Sequence, residues 1–177
     1  MILIIYIEMF TKATKLIHIM GDNNLLNIDI RKCDEKDLLE ILDLMNELVE
    51  FTDSPFNFSI KSLKENFIEM GKGPQIYKNY VAVNDGKVIG FISIILYKTL
   101  FHRGGTALIN ELIINKNHRD KGIGRILINK AKEVAIAKGI DEMEVGTSIK
   151  NMPAHMFYKK CGFSEEYLLL GMEFTNI

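Results

Sequence analysis

ELIINKNHRDKGIGRIL, residues Glu111–Leu127, is the stretch from which the rest of the chain can be read. Its first part continues an apolar run over Thr106 to Asn115 with the β-branched character of a strand. After a short polar loop, Ile123, Leu127, Ala131 and Val134 recur at helical spacing, and Gly139 is placed to stop a helix over Ile123 to Lys138. A strand that passes through Arg119 to Gly124 straight into a helix leaves the first N–H groups of that helix without intrahelical partners. It also puts about half a positive charge at that end. An anion, phosphate above all, satisfies several of those donors together. Gly122 and Gly124 lack a Cβ, which lets the backbone approach a pyrophosphate, and Arg119, Lys121 and Arg125 add charge nearby. Two other glycine-loop readings fail: a dinucleotide fingerprint needs a third glycine where Leu127 stands, and a Walker loop needs a GK[ST] ending that is absent.

Working outward, Asp85 and Gly86 lie between the apolar runs Tyr80 to Asn84 and Val88 to Tyr97, the pattern of a tight hairpin. Further upstream, Ile28 and Ile30 alternate with Asn27, Asp29 and Arg31 as in a half-buried strand. Asp34 is placed as an N-cap, and Leu38, Ile41, Leu42, Met45, Leu48 and Val49 form one stripe of a helix ending near Phe51. Residues 52–79 read as variable surface, with turn formers at Asp53, Ser54 and Pro55, a short helical pattern through Leu63 and Phe67, and breakers at Gly71, Gly73 and Pro74. Downstream, Met143 and Val145 mark a strand, Pro153 to Lys160 a short helix closed by Gly162, and Tyr167 to Phe174 a last strand. This order of elements predicts the α/β (α+β) class, a mixed sheet with helices on both faces.

Composition narrows the function. The 177 residues fit one domain, expected over 25–177 behind an N-terminal extension of residues 1–24 that is either a mis-called start or an extra edge strand. A net charge of -1 gives no field to hold a polyanion, so nucleic acid is not expected as a partner. The apolar run in MILIIYIEMFTKATKLIHI is interrupted by Glu8 and falls short of a membrane span, so no membrane partner is expected. Cys33 and Cys161 fit neither a disulfide framework nor a metal spacing, and a reducing, cytoplasmic location is the expectation. No metal-ligand spacing joins His18, His102, His118 and His155.

A second cluster, NMPAHMFYKKCGF from Asn151 to Phe163, decides between an ordinary turn and a ligand loop. Arg119, Gly122 and Gly124 match [QR]-x-x-G-x-[GA], and Asn151, Ala154, Tyr158, Gly162 and Phe163 match N-x-x-A-x-x-x-Y-x-x-x-G-F. In these two blocks, and over about residues 26–174, the chain resembles the GNAT superfamily of acetyl-CoA-dependent N-acetyltransferases. The resemblance implies a mostly antiparallel mixed sheet of six to seven strands, with strands four and five splayed to admit the pantetheine arm. It implies that Leu112, Ile113 and Ile114 lend that arm backbone hydrogen bonds. Asp120, Lys121, Gly122, Ile123, Gly124 and Arg125, with Arg119, would cradle the pyrophosphate of acetyl-CoA. Asn151, Ala154 and Tyr158 would approach the thioester. Dimers are common in that family, so a homodimer is one expected assembly.

The chemistry requires that an ammonium lose a proton. Glu111 is the expected general base, with Glu144 in reserve, and whether Glu111 or Asn110 meets the cleft depends on whether the strand carries a bulge. Tyr158 is expected to act as general acid toward the leaving sulfur. Glu47, Glu50 and Asp53 are candidates to attract a cationic amine, and Tyr77 or Tyr80 to wall it, with the Thr99 to Gly105 loop nearby. The acceptor is expected to be a small-molecule amine. A protein N-terminus or lysine is the alternative acceptor, and a non-catalytic acyl-CoA sensor the alternative of another class.

Overall fold

The computed structural model of the chain describes residues 15–20, 25–49, 58–172 and 174. Six strands, β1 (Lys15–Met20), β2 (Leu25–Lys32), β3 (Tyr77–Asn84), β4 (Lys87–Tyr97), β5 (Thr106–Ile114) and β6 (Glu142–Val145), lie side by side in chain order. Every neighbouring pair is antiparallel except β5 and β6, which run parallel. The sheet that the resemblance implied is the five-stranded mixed part β2 to β6, so the expectation of six to seven strands for it is corrected. β1, from the segment read as an extension, is added at its outer edge. The last expected strand does not form among the described residues. From Tyr167 to Leu170 the chain is apolar on both faces rather than alternating, and with Leu169 84% and Leu170 81% exposed nothing covers either face.

Among the described residues four α-helices accompany the sheet: α1 (Leu38–Val49), α2 (Ile60–Lys72), α3 (Ile123–Ala137) and α4 (Met152–Lys160). Of the stripe expected on α1, Leu38, Ile41 and Met45 are buried against Val81, Val83, Phe91 and Ile113 on one face of the sheet, joined by Leu44, which the stripe did not include, while Leu42 is only half-buried. On the other face α3 buries Ile123, Leu127, Ile128 and Ala131 against Ile30, Ala82, Ile92 and Ile109. A fully buried aliphatic side chain contributes about 1.5–3 kcal/mol, so these two layers fix how the helices sit on the strands. Before α1, Asp34 takes the N-cap position as expected, and the Asp37 carboxylate three residues on accepts the Asp34 N–H at 2.8 Å and a forked pair of bonds from Arg31 at 2.6 and 2.7 Å. α2 is a full helix of 13 residues where only a short helical pattern was read, started by Ser59 Oγ accepting the Ser62 N–H.

The strand β5 departs from regularity in two ways. The expected Asp85–Gly86 hairpin, with positive φ at both positions, aligns β3 with β4. Along β4 the partners then run Ile92↔Leu112, Ser93↔Glu111 and Ile94↔Ile109, so Asn110 is one residue too many and β5 bulges there. Beyond the bulge β5 also loses its other neighbour: β6 pairs with Thr106 to Ile109 alone, and the outer edge of Asn110 to Ile114 faces a gap.

Candidate functional site

The gap opens beside the turn into α3. Gly122 takes a left-handed conformation (φ 81°) and so does Asp120 (φ 60°), which swings the chain round into the helix. The first bond of the helix ladder runs from the Ile126 N–H to Gly122 O at 3.2 Å. The N–H groups of Ile123, Gly124 and Arg125 therefore precede the ladder, the arrangement that suits an anion.

The basic residues divide. Arg119 points inward: its Nε donates to Ile114 O at 3.0 Å and its Nη2 lies 3.5 Å from Glu47 Oε2. Glu47 also accepts from Asn115 Nδ2 at 3.0 Å and from the Lys116 N–H at 2.9 Å. Glu47 is thus the residue of α1 that holds the end of β5 and its loop in place, which corrects its expected part in attracting an amine. Glu50 and Asp53 lie outside the described residues. Lys121 donates to Asn117 O at 2.8 Å and Arg125 to Lys160 O at 3.0 Å, the latter tying the start of α3 to the end of α4.

Gly124 has a steric reason distinct from close approach of a ligand. A Cβ there would lie 3.0 Å from Cζ and 3.3 Å from Cε2 of Phe157, so this glycine lets α4 rest on the start of α3. Asn151 caps α4 by accepting the Ala154 N–H at 3.2 Å. On the same helix Tyr158 packs edge-to-face with Phe157 and with Phe163, at centroid distances of 5.2 and 5.6 Å. Burial pushes its phenol up to about 12.

Cross-strand partners share a face. Because Phe91 and Ile113 face α1, so do Ser93 and Glu111, two positions away on each strand. Asn79 pairs with Ser93, so Asn79, Ser93 and Glu111 stand abreast in one row across β3, β4 and β5. Desolvation raises the pKa of Glu111, opposed in part by Ser93 and by Asn110, whose Nδ2 donates to Glu111 Oε1. Ser93 Oγ approaches the carboxylate without completing a hydrogen bond of ordinary geometry. It and Asn79 Oδ1 are buried atoms with no hydrogen-bond partner among the described residues. Ser93 is 1% exposed. Groups so placed are normally paired in a protein interior, and two in one row mark a place for a polar guest.

Glu144 stands outside this row, in the next one along the same face. It lies opposite Leu108, three positions before Glu111, and accepts from the Tyr97 hydroxyl at 2.8 Å. Tyr80 faces α3 in the core beneath Lys130 Nζ, which removes it as a wall for an acceptor, whereas Tyr77 pairs with Ile95 on the α1 side. No group of three or more metal-ligating side chains is present among the described residues, and no helix among them is long and apolar enough to cross a membrane. The sequence patterns missed Ser93 and Asn79, which bear no motif and gain meaning only from strand register.

Residues 41–163 match the model of the acetyltransferase (GNAT) family. The chain is 27% identical over 141 residues to an aminoalkylphosphonate N-acetyltransferase of Salmonella typhimurium, covering 75% of this chain and 91% of that protein. It is 27% identical over 143 residues to a glucosamine 6-phosphate N-acetyltransferase of Trypanosoma brucei brucei, with coverage of 79% and 91%. The crystal structure of glucosamine-6-phosphate N-acetyltransferase from Arabidopsis thaliana shares the fold, with a TM-score of 0.69, 19% identity, and coverage of 83% of this chain and 98% of that one.

Proposed function

The chain belongs to the GNAT acetyltransferase family, and from that premise we propose that it transfers the acetyl group of acetyl-CoA to a primary amine of a small molecule, by direct attack in a ternary complex. The observation that carries this reading is the Asn79, Ser93 and Glu111 row, which sets a half-buried carboxylate at the strand gap in line with two buried polar atoms that have no hydrogen-bond partner among the described residues. Two relatives named for small amine acceptors support the choice of acceptor class.

In this reading the amides of Asp120 to Arg125 take the pyrophosphate of acetyl-CoA, helped by Lys121 and Arg125. The edge of Leu112, Ile113 and Ile114, which β6 leaves without a neighbouring strand, takes the pantetheine arm, and Asn151 and Ala154 form the helix start nearest the thioester end. Arg119 serves the loop indirectly, by fastening it to Glu47 and Ile114.

An alkyl ammonium with a pKa near 10.4 costs on the order of 4–5 kcal/mol to deprotonate at pH 7. Glu111 accepts that proton, and its burial, by raising its pKa, makes it a better base than an exposed carboxylate. The nitrogen lone pair then attacks the thioester carbonyl carbon. The C–N bond forms, the second proton on nitrogen passes to solvent, and the C–S bond breaks with its electron pair leaving on sulfur.

Tyr158 changes role from the expected general acid. A phenol held near 12 by burial is a poor proton source for a thiolate whose own pKa is near 8.5; full transfer would cost on the order of 4–5 kcal/mol. It acts instead as a hydrogen-bond donor to the departing sulfur, which takes its proton from solvent.

The test is release of free thiol from acetyl-CoA by the purified protein across a panel of amines. Glu111→Gln is expected to lower kcat by about 10² or more, and Tyr158→Phe by about tenfold. Failure of calorimetry to detect CoA binding would overturn the proposal.

A further inference from the structure

The polar row at Glu111 begins a longer track on the α1 side of the sheet. One step from it comes the row Tyr77, Ile95, Leu108 and Glu144, and beyond that Tyr97, Thr106 and Glu142. The track is polar at its Glu111 end, apolar in the middle through the half-buried Ile95 and Leu108, and acidic at the far end. There a cavity of about 280 Å³ is lined by the rings of Tyr97, Phe101 and Tyr167 together with His102, Glu142 and Glu144. Among the described residues its lining contains no Lys or Arg. The nearest lysine in sequence, Lys98, has its ammonium on Gly104 O at 2.8 Å.

The two carboxylates in the cavity differ in what they already hold. Glu142 Oε2 accepts from the buried Thr106 hydroxyl at 2.9 Å and lies 2.8 Å from His102 Nε2. Glu144 Oε2 accepts from the Tyr97 hydroxyl, a phenol that brings no cation, and no Lys or Arg among the described residues is ion-paired with it. A carboxylate in a cavity that aromatic side chains help to line is a place for an ammonium group, drawn by the charge. A phosphate there would meet two carboxylates. At the opposite end of the track, the buried and unpartnered Ser93 hydroxyl is an independent sign that a polar group is received beside Glu111.

We infer that the acceptor carries a second cationic group, held at Glu144 in this cavity while the reacting nitrogen lies at Glu111, and that the acceptor class is diamines and longer oligoamines. The rows of Glu111 and of Leu108, opposite Glu144, are two residues apart along β4, Ser93 against Ile95, a span of about 7 Å at the rise of a strand, with one strand spacing of about 5 Å across to β6. The apolar middle of the track takes the alkyl chain. This inference rests on the proposed acetyl transfer at Glu111.

The experiment measures thiol release with spermidine, butylamine and glucosamine 6-phosphate as acceptors. For the wild type, kcat/KM for spermidine is expected to exceed that for butylamine by about tenfold or more, with glucosamine 6-phosphate poorest. Glu144→Gln should shrink the spermidine-to-butylamine ratio by about five- to tenfold, chiefly through KM for spermidine, with CoA affinity by calorimetry confirming that the variant is folded. Spermidine binding to the wild-type CoA complex should weaken as ionic strength rises. A ratio indifferent to Glu144→Gln, spermidine binding indifferent to salt, or a wild type that prefers glucosamine 6-phosphate would overturn the second-cation site while leaving acetyl transfer standing. A wild type that binds no CoA would overturn both.

Discussion

Replacing Gly124 by alanine sets two known effects against each other. Alanine is the better helix former, by up to about 1 kcal/mol in a helix interior and less in the first turn, where Gly124 lies. Against this, the new methyl would sit 3.0 Å from Phe157 Cζ and 3.3 Å from its Cε2. The ring has little freedom to yield, because it packs edge-to-face on Tyr158, which packs in turn on Phe163. Overpacking of this kind costs about 1–3 kcal/mol, so the net effect is a loss of about 1–2 kcal/mol. The strain is relieved by pushing α4 outward, and α4 carries Tyr158. A catalytic group displaced by about 1 Å costs up to about 10²-fold in kcat. Urea unfolding and steady-state kinetics of Gly124→Ala, Phe157→Leu and the double variant form a cycle, in which the smaller leucine should restore at least about 1 kcal/mol of the loss. Strict additivity, or a stabilised Gly124→Ala with normal kcat, would refute the steric account of this glycine.

Other outcomes follow from the charges. The acid limb of kcat/KM against pH should lie above the ordinary carboxylate range, because burial raises the pKa of Glu111 and the ionised form is the base; in Glu111→Gln that limb should vanish from the residual activity. The same raised pKa means that folding disfavours the ionised form, a stability contribution present at low pH and lost as pH rises through the folded value. Glu111→Gln should therefore raise Tm at pH 7 while lowering kcat, as scanning calorimetry would show. Glu47→Ala should weaken CoA binding by about tenfold, measured by calorimetry, because the end of β5, Lys116 and Arg119 lose their shared anchor. Burial pushes the pKa of Asp37 upward, but the Arg31 guanidinium and the Asp34 N–H outweigh it and hold the carboxyl below its usual range. Its stabilisation is present above the unfolded carboxyl value, near 3.9, and is lost as pH falls through the folded one. Asp37→Asn should accordingly cost about 1–3 kcal/mol at pH 7, a gap that closes in acid when unfolding is followed against pH.

What the sequence disclosed, it disclosed through backbone demands. Asp85–Gly86 announces a hairpin because both residues tolerate positive φ, and Gly122 announces the turn into α3 for the same reason. The stripes on α1 and α3 are visible because burial repeats at the helical period. Destinations of side chains were not visible. Arg119 counts as phosphate-loop charge until a carboxylate 72 positions away claims part of its guanidinium. Nothing in Ile109, Asn110 and Glu111 marks the extra residue that decides which face Glu111 takes. Tyr167 to Leu170 has the composition of a strand, yet a strand also needs a partner, and composition does not reveal whether β6 will supply one.

The surplus residue at Asn110 makes β5 two strands spliced out of phase. The half before it answers to β6 and the cavity floor; the half after it answers to α1 and the unoccupied edge. Substitutions in one half can therefore retune what is recognised without rotating the carboxylate in the other. Were the strand to run through Asn110 without the bulge, Asn110 would take the α1 side and Glu111 and Ile113 would turn through to the α3 side, whereas excising that residue would leave both where they are.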